Sequence, residues 1–217
     1  MVREIVSYEW FTIFMVVGLA LMTLAKVLFT KRFMDFLGVF GNSKYLKIYT
    51  KDQKFIDVFD ALLFFNFVIS LSIFGYLSFL TLQPEHHFEL DVFFKIILGI
   101  SSVGVIKILV ERLIGSLFEI DKVIDFYLFQ KASYRNFSGF VLLPLNALLI
   151  YTINPSKTSI LVVLLVLVFI NLVGFITSLK IHQKTLLNNI FYFILYLCAL
   201  EIGPYLILYK LIVENKA

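Results

Sequence analysis

NNIFYFILYLCALEIGPYLILYKLIV, Asn188 to Val213, is an apolar run interrupted near its middle by Glu201-Ile202-Gly203-Pro204. At ~1.5 Å of rise per residue it is long enough to cross a bilayer as one helix. A carboxylate, a helix-weakening glycine and a helix-breaking proline then fall deep in lipid. An ionised carboxylate alone at that depth costs roughly 2.5–3.5 kcal/mol on insertion scales, so Glu201 is expected to be protonated, paired or turned toward water inside a bundle. Pro204 has no N–H for the carbonyl of Leu200, which leaves an acceptor one residue from the carboxylate. Carboxylate and freed carbonyl together suit a proton, a cation or a polar headgroup. The same groups also serve as packing contacts between helices.

The rest of the chain matches this run. Its 217 residues are 60% hydrophobic with a mean hydropathy of +0.94, more apolar surface than one soluble core can hide. Apolar blocks at about 8–30, 61–82, 92–113, 137–153, 159–179 and 188–213 predict six spans. Backbone polar groups in hydrocarbon must be paired within the segment, so each span is a helix. The fold class expected is all-α, a polytopic transmembrane bundle forming a single integral membrane domain over residues 1–217. Near the start, Arg3 is offset by Glu4 and the following block exceeds a signal-peptide core, which points to an uncleaved first span. One cysteine, Cys198, excludes a disulfide within the chain.

The net charge of +4 is dispersed, which argues against a nucleic-acid partner and makes the basic residues topology signals. Lys31, Arg32, Lys44, Lys47, Lys51, Lys54, Arg112, Lys122, Lys131, Arg135, Lys180 and Lys184 fall on one side of the spans. Arg3, Lys157, Lys210 and Lys216 fall on the other. The positive-inside rule therefore places both termini away from the cytoplasm.

Two basic connections carry apolar residues. Between spans one and two, Phe33, Phe36, Leu37, Val39 and Phe40 alternate with charges as in a segment lying on an anionic membrane face. Gly38, Gly41 and Asn42 predict a turn between a short interfacial helix and a second helix leading into span two. After span three, Leu113, Leu117, Ile120, Ile124 and Leu128 recur every three or four positions, so that span is expected to continue outward as an amphipathic helix.

Other polar residues fall inside the spans. Pro144 and Asn146 repeat in span four the pairing of Pro204 with Glu201, and Asn171, Ser101 and Ser102 are further candidates at similar depth. Gly203, Pro204, Glu201, Asn146, Pro144, Lys107 and Asn171 together make a candidate intramembrane polar site, the alternative being ordinary interhelical hydrogen bonds. Lys107 either snorkels to the interface or turns inward, with Glu111 four residues on as a local partner. Lys26 and Lys95 are near enough to span ends to snorkel. Gln130, Lys131, Tyr134 and Arg135 place donors at the mouth of span four, where headgroup phosphates or an acidic partner would lie; Lys131 and Arg135 also fit as positive-inside anchors. His86-His87 lacks ligand spacing, so no metal is expected, and no cofactor motif is present.

The string Phe126-Tyr127-Leu128-Phe129-Gln130-Lys131-Ala132-Ser133-Tyr134-Arg135-Asn136, followed by Pro144-Leu145-Asn146 and by Glu201-Ile202-Gly203-Pro204, resembles an uncharacterised family of integral membrane proteins of Bacteroidota, a domain of unknown function. The resemblance covers most of the chain and implies a bacterial inner membrane. It brings no activity, cofactor or catalytic residue. The expected role is a non-catalytic inner-membrane subunit or assembly partner of a larger envelope complex, its partners the lipid bilayer and either other membrane proteins or further copies of itself. The alternatives are a small oligomeric transporter or proton-coupled subunit using Glu201, and an enzyme acting on lipid headgroups.

Overall fold

The computed structural model describes residues 9–41, 44–49, 57–83, 88–117, 121–153 and 155–181. Among them the chain forms α1 (Glu9–Leu28), α2 (Thr30–Leu37), α3 (Lys44–Tyr49), α4 (Val58–Leu82), α5 (Leu90–Leu117), α6 (Asp121–Leu148), a π-helical segment (Leu149–Ile153) and α7 (Lys157–Ile181). Helices α1, α4, α5, α6 with its π segment, and α7 are the 5 long and apolar enough to cross a membrane. They correspond to the first five expected spans. The sixth, Asn188–Val213, lies outside the described residues.

Helices α4 and α6 form the centre, with α1 packed chiefly on α4, α7 chiefly on α6, and α5 against both. Phe11 meets Tyr76 while Phe29 meets Phe59, so α1 and α4 run antiparallel. Gly139 faces Phe67 and Asn146 bonds Ser70, so α4 and α6 run parallel. The α4–α6 crossing depends on a missing side chain: a Cβ on Gly139 would sit 2.5 Å from the Cα of Phe67. Without a hydrophobic drive between helices in lipid, such close backbone approach supplies the van der Waals contact that holds a bundle.

Two aromatic-rich clusters fill the interior. One gathers Phe11, Phe74, Tyr76, Phe93, Leu142 and Leu149 at the end where α1 begins. The other gathers Phe33, Phe36, Tyr45, Phe59, Phe129 and Tyr134 at the opposite end. Ser72 in α4 and Ser133 in α6 satisfy their hydroxyls by donating one turn back, to Val68 O and Phe129 O, both at 2.8 Å.

Three expectations need correction. Of the apolar residues expected on the membrane face, Phe33, Phe36 and Val39 turn inward and are buried, the Phe36 ring meeting Tyr45, Phe59 and Phe137, whereas Phe40 stays exposed, as does Met34. The helix-turn-helix is present, but it closes one end of the bundle. Helix α5 ends at Leu117 and a new helix begins at Asp121 that runs straight into span four, so the stripe from Leu113 to Leu128 belongs to two antiparallel helices. Ile124 packs onto Gly115 there, whereas Leu113 and Leu117 remain exposed. Finally, α6 continues through Pro144, and the irregular turn comes later, as the π segment.

Candidate functional site

Antiparallel packing brings the end of α1, the start of α4, the end of α5 and the start of α6 to one end of the bundle, and most of the described charges meet there. Arg32, in the first turn of α2, pairs with Asp57 and reaches Asp60 at 3.0 Å. Its guanidinium lies 4.6 Å from the Phe59 ring centre and 5.2 Å from that of Tyr49. Burial works against this cation, but Asp60, Tyr45 and Asp57 outweigh it and hold the Arg32 pKa above its ordinary value. Asp57 has a second role, since its other oxygen caps α4 by accepting from the Phe59 N–H at 3.0 Å. The Tyr45 phenol beneath is pushed up by burial, with Asp60 adding to the effect.

Beside this cluster, α5 and α6 enclose a small open-mouthed cleft lined by Lys107, Ile108, Glu111, Leu128, Lys131, Ala132 and Arg135. Its volume of about 20 Å³ admits a water-sized group or two. Glu111 is almost wholly enclosed and accepts from Lys131 Nζ at 2.5 Å. Arg135 lies over the rings of Phe64 at 4.9 Å and Phe67 at 5.6 Å. Among the described residues its Nε is enclosed without a hydrogen-bond partner, and Glu111 and Asp60 act on Arg135 through their charge. Lys107 from α5 and Lys131 and Arg135 from α6 therefore line the cleft around one enclosed carboxylate.

A second polar group lies where the two aromatic clusters meet. Asn146 Nδ2 donates to Ser70 O at 2.8 Å, while Asn146 Oδ1, Ser70 Oγ and both polar atoms of Asn66 are enclosed without partners among the described residues. Gly18 of α1 permits this layer, because a Cβ there would meet Leu143 at 2.7 Å and Asn66 Oδ1 at 3.1 Å.

The structure divides the sequence candidates. Of the intramembrane set, Asn146 is buried between α4 and α6, and Asn171 donates to Ser138 Oγ at 3.1 Å, tying α7 to α6. Pro144 is exposed, Lys107 lines the cleft, and Glu201, Gly203 and Pro204 lie outside the described residues. Of the headgroup set, Lys131 and Arg135 line the cleft. Gln130 is buried, and the Tyr134 hydroxyl donates to Val39 O at 3.3 Å, with its ring packed on Gly174. Sequence reading passed over Asn66, Ser70 and the Arg32 cluster. An amide and a hydroxyl at i and i+4 in an apolar span share a helix face, and that spacing was the available signal.

The chain matches the family described as Domain of unknown function (DUF4271) over residues 11–212. It belongs to that family. The match runs from α1 past α7 and takes in nearly all of Asn188–Val213, so the DUF4271 region contains the cleft, the amide layer and Glu201 alike. No curated protein and no solved structure matches the DUF4271 chain.

Proposed function

We propose that this DUF4271 protein is a non-catalytic integral component of a bacterial inner membrane, a subunit or assembly partner of a larger envelope complex. The observation that supports this reading is the setting of α5. Only 6% of its span-length window is buried against the chain. Its outer side is apolar at Leu98, Val103, Ile106 and Leu109, but it also carries Gly99 and Ser102, and a Cβ on Gly99 would meet nothing within 4 Å among the described residues. Small residues on a helix surface let another helix approach to backbone distance, which contact with lipid chains does not require. The partner proposed is a helix of another membrane protein.

Photocrosslinking from Leu98, Ser102 and Ile106 in native membranes tests this. A discrete adduct to a different membrane protein is expected at Ser102. Adducts to lipid alone would overturn the reading, and an adduct to a second copy of the chain would replace the heteromeric complex by a homo-oligomer.

A small transporter or proton-coupled subunit remains a second reading, favoured by the enclosed amide layer. Unpaired oxygens of Asn66, Ser70 and Asn146 in a dry interior suit a water or a small cation. Glu201 would then be the titrating group. Proton flux in proteoliposomes that disappears in Glu201→Gln and Asn146→Leu while assembly persists would favour it over the first.

A further inference from the structure

We infer that the cleft between α5 and α6 is a binding site for a phosphate-type anion, held by Lys107, Lys131 and Arg135. This inference is independent of the subunit reading. It begins with Arg135. A guanidinium has five N–H donors in one plane, and ring faces above and below it stabilise the charge without accepting from those donors. Among the described residues no side chain or carbonyl hydrogen-bonds the Arg135 guanidinium, although it lies over the Phe64 and Phe67 rings and lines the cleft. Desolvated, oriented and lacking an acceptor, it suits a bidentate oxyanion.

Charge and size narrow the ligand class. Lys107, Lys131 and Arg135 line the cleft against the single carboxylate of Glu111, so an anion entering it meets a net positive surface. Glu111 holds the Lys131 ammonium in place at 2.5 Å and prevents the cleft from carrying three uncompensated cations. The space inside takes one or two oxygen-sized groups rather than a whole substrate, as when a phosphate rests in the mouth and directs an oxygen inward.

Depth supports the same assignment. Tyr151 is exposed, hydrogen-bonds Thr12, and suits the aromatic belt at the opposite interface. Lys131 lies about 30 Å along the helix from Tyr151 at ~1.5 Å per residue, and the hydrocarbon layer is about 30 Å thick. Glu111 is the same distance along α5 from Asp91, about 30 Å. The mouth of the cleft, at Lys131 and Glu111, is thus at the level where lipid phosphates lie and is also open to a phosphate group arriving from solution, with Arg135 and Lys107 one helical turn further in, about 24 Å from Tyr151 and Asp91.

The test uses the full chain, delipidated in a maltoside detergent, with two probes: dihexanoyl phosphatidylglycerol followed by calorimetry, and radiolabelled inorganic phosphate in equilibrium dialysis. Saturable binding of the lipid but not of free phosphate identifies a headgroup site. The converse identifies a soluble phosphate compound. In either case Arg135→Gln and Lys107→Gln each weaken binding by about tenfold, the scale of one charge-assisted hydrogen bond, while Lys95→Gln at the far end of α5 leaves it unchanged. Should Arg135→Gln fail to fold, Lys107→Gln decides alone. Absence of saturable binding for both probes, or wild-type affinity in the folded cleft variants, overturns the assignment.

Discussion

Lys131 Nζ sits 2.5 Å from Glu111 Oε1, joining α6 to α5 across a contact in which the carboxylate side chain is 1% exposed and the lysine 27%. The pair is asymmetric. Lysine can extend toward water along its four-carbon stem, whereas the carboxylate is fixed in the interior. What the contact contributes therefore depends on which partner is removed, because an enclosed charge left alone costs more than the pair gains together.

Lys131→Met removes the cation that hydrogen-bonds the enclosed Glu111 carboxylate, which keeps Lys107 and Arg135 nearby, and is expected to lose about 2 kcal/mol of stability. Glu111→Gln leaves the cations of the cleft, enclosed Arg135 among them, without their carboxylate, so its loss is expected to be larger, about 3 kcal/mol. Combining Lys131→Met with Glu111→Gln removes one charge of each sign and should cost less than the two single losses added together. Unfolding in mixed dodecyl maltoside and dodecyl sulfate measures all three. Additive losses in the double variant would mean that the two residues do not interact.

The α4–α6 crossing gives a sharper steric prediction. A methyl group at Gly139 would collide with the Phe67 backbone, which cannot rotate away as a side chain can. Gly139→Ala should cost about 1–3 kcal/mol, the range for overpacking. Gly75 lies in the same central pair of helices with open space around it, so Gly75→Ala should change stability by less than about 0.5 kcal/mol. Thermal melts of both variants against the parent provide the comparison, and equal effects would show that close approach at Gly139 is not what sets the crossing.

Hydropathy made the first five spans legible because lipid demands a long apolar helix whatever its neighbours. Pairing between helices was not legible in the same way. Glu111 has Lys107 one turn away, and that i,i+4 spacing is what a single sequence offers; its bond to Lys131 crosses a helix reversal and follows no local period. Phe33 and Phe36 suggested a membrane-surface helix for a related reason: an apolar face reads alike whether lipid or protein covers it. Lys131 and Arg135 were visible as basic residues at the mouth of span four, but Phe64 and Phe67, over which Arg135 lies, come from a different span.

Alkaline pH should weaken the end of the bundle closed by α2 and α3. Tyr45 is enclosed, and its phenol has a folded pKa raised above the unfolded value by burial and by Asp60. A raised folded pKa means that the neutral group's contribution is complete below the unfolded pKa of about 10 and is lost as pH rises beyond it. Tyr45→Phe removes this titration without removing the ring that stacks on Phe129. The parent should lose melting temperature faster than Tyr45→Phe between about pH 9 and 11, although both share the titration of surface lysines. Parallel slopes for the two proteins would exclude Tyr45 as the group responsible.

Orientation in the membrane follows from how the helices alternate. Helices α4 and α6 run parallel, α1 and α5 run opposite to them, and the link from α1 to α4 therefore shares an end with the link from α5 to α6. That end carries Arg32, Lys44, Arg112, Lys131 and Arg135, whereas among the described residues the opposite end carries Lys95 beside Asp91, and Lys157. Excess Lys and Arg near span ends are retained on the cytoplasmic side, so the prediction is that the basic end faces inward. A fluorescent-protein fusion at Lys122 should then be bright and a phosphatase fusion there inactive. At Pro84, in the link from α4 to α5, the two reporters should reverse. A bright fusion at Pro84 would invert the protein in the membrane and place the Arg135 cleft at the opposite leaflet, where the phosphate groups it meets would belong to a different pool.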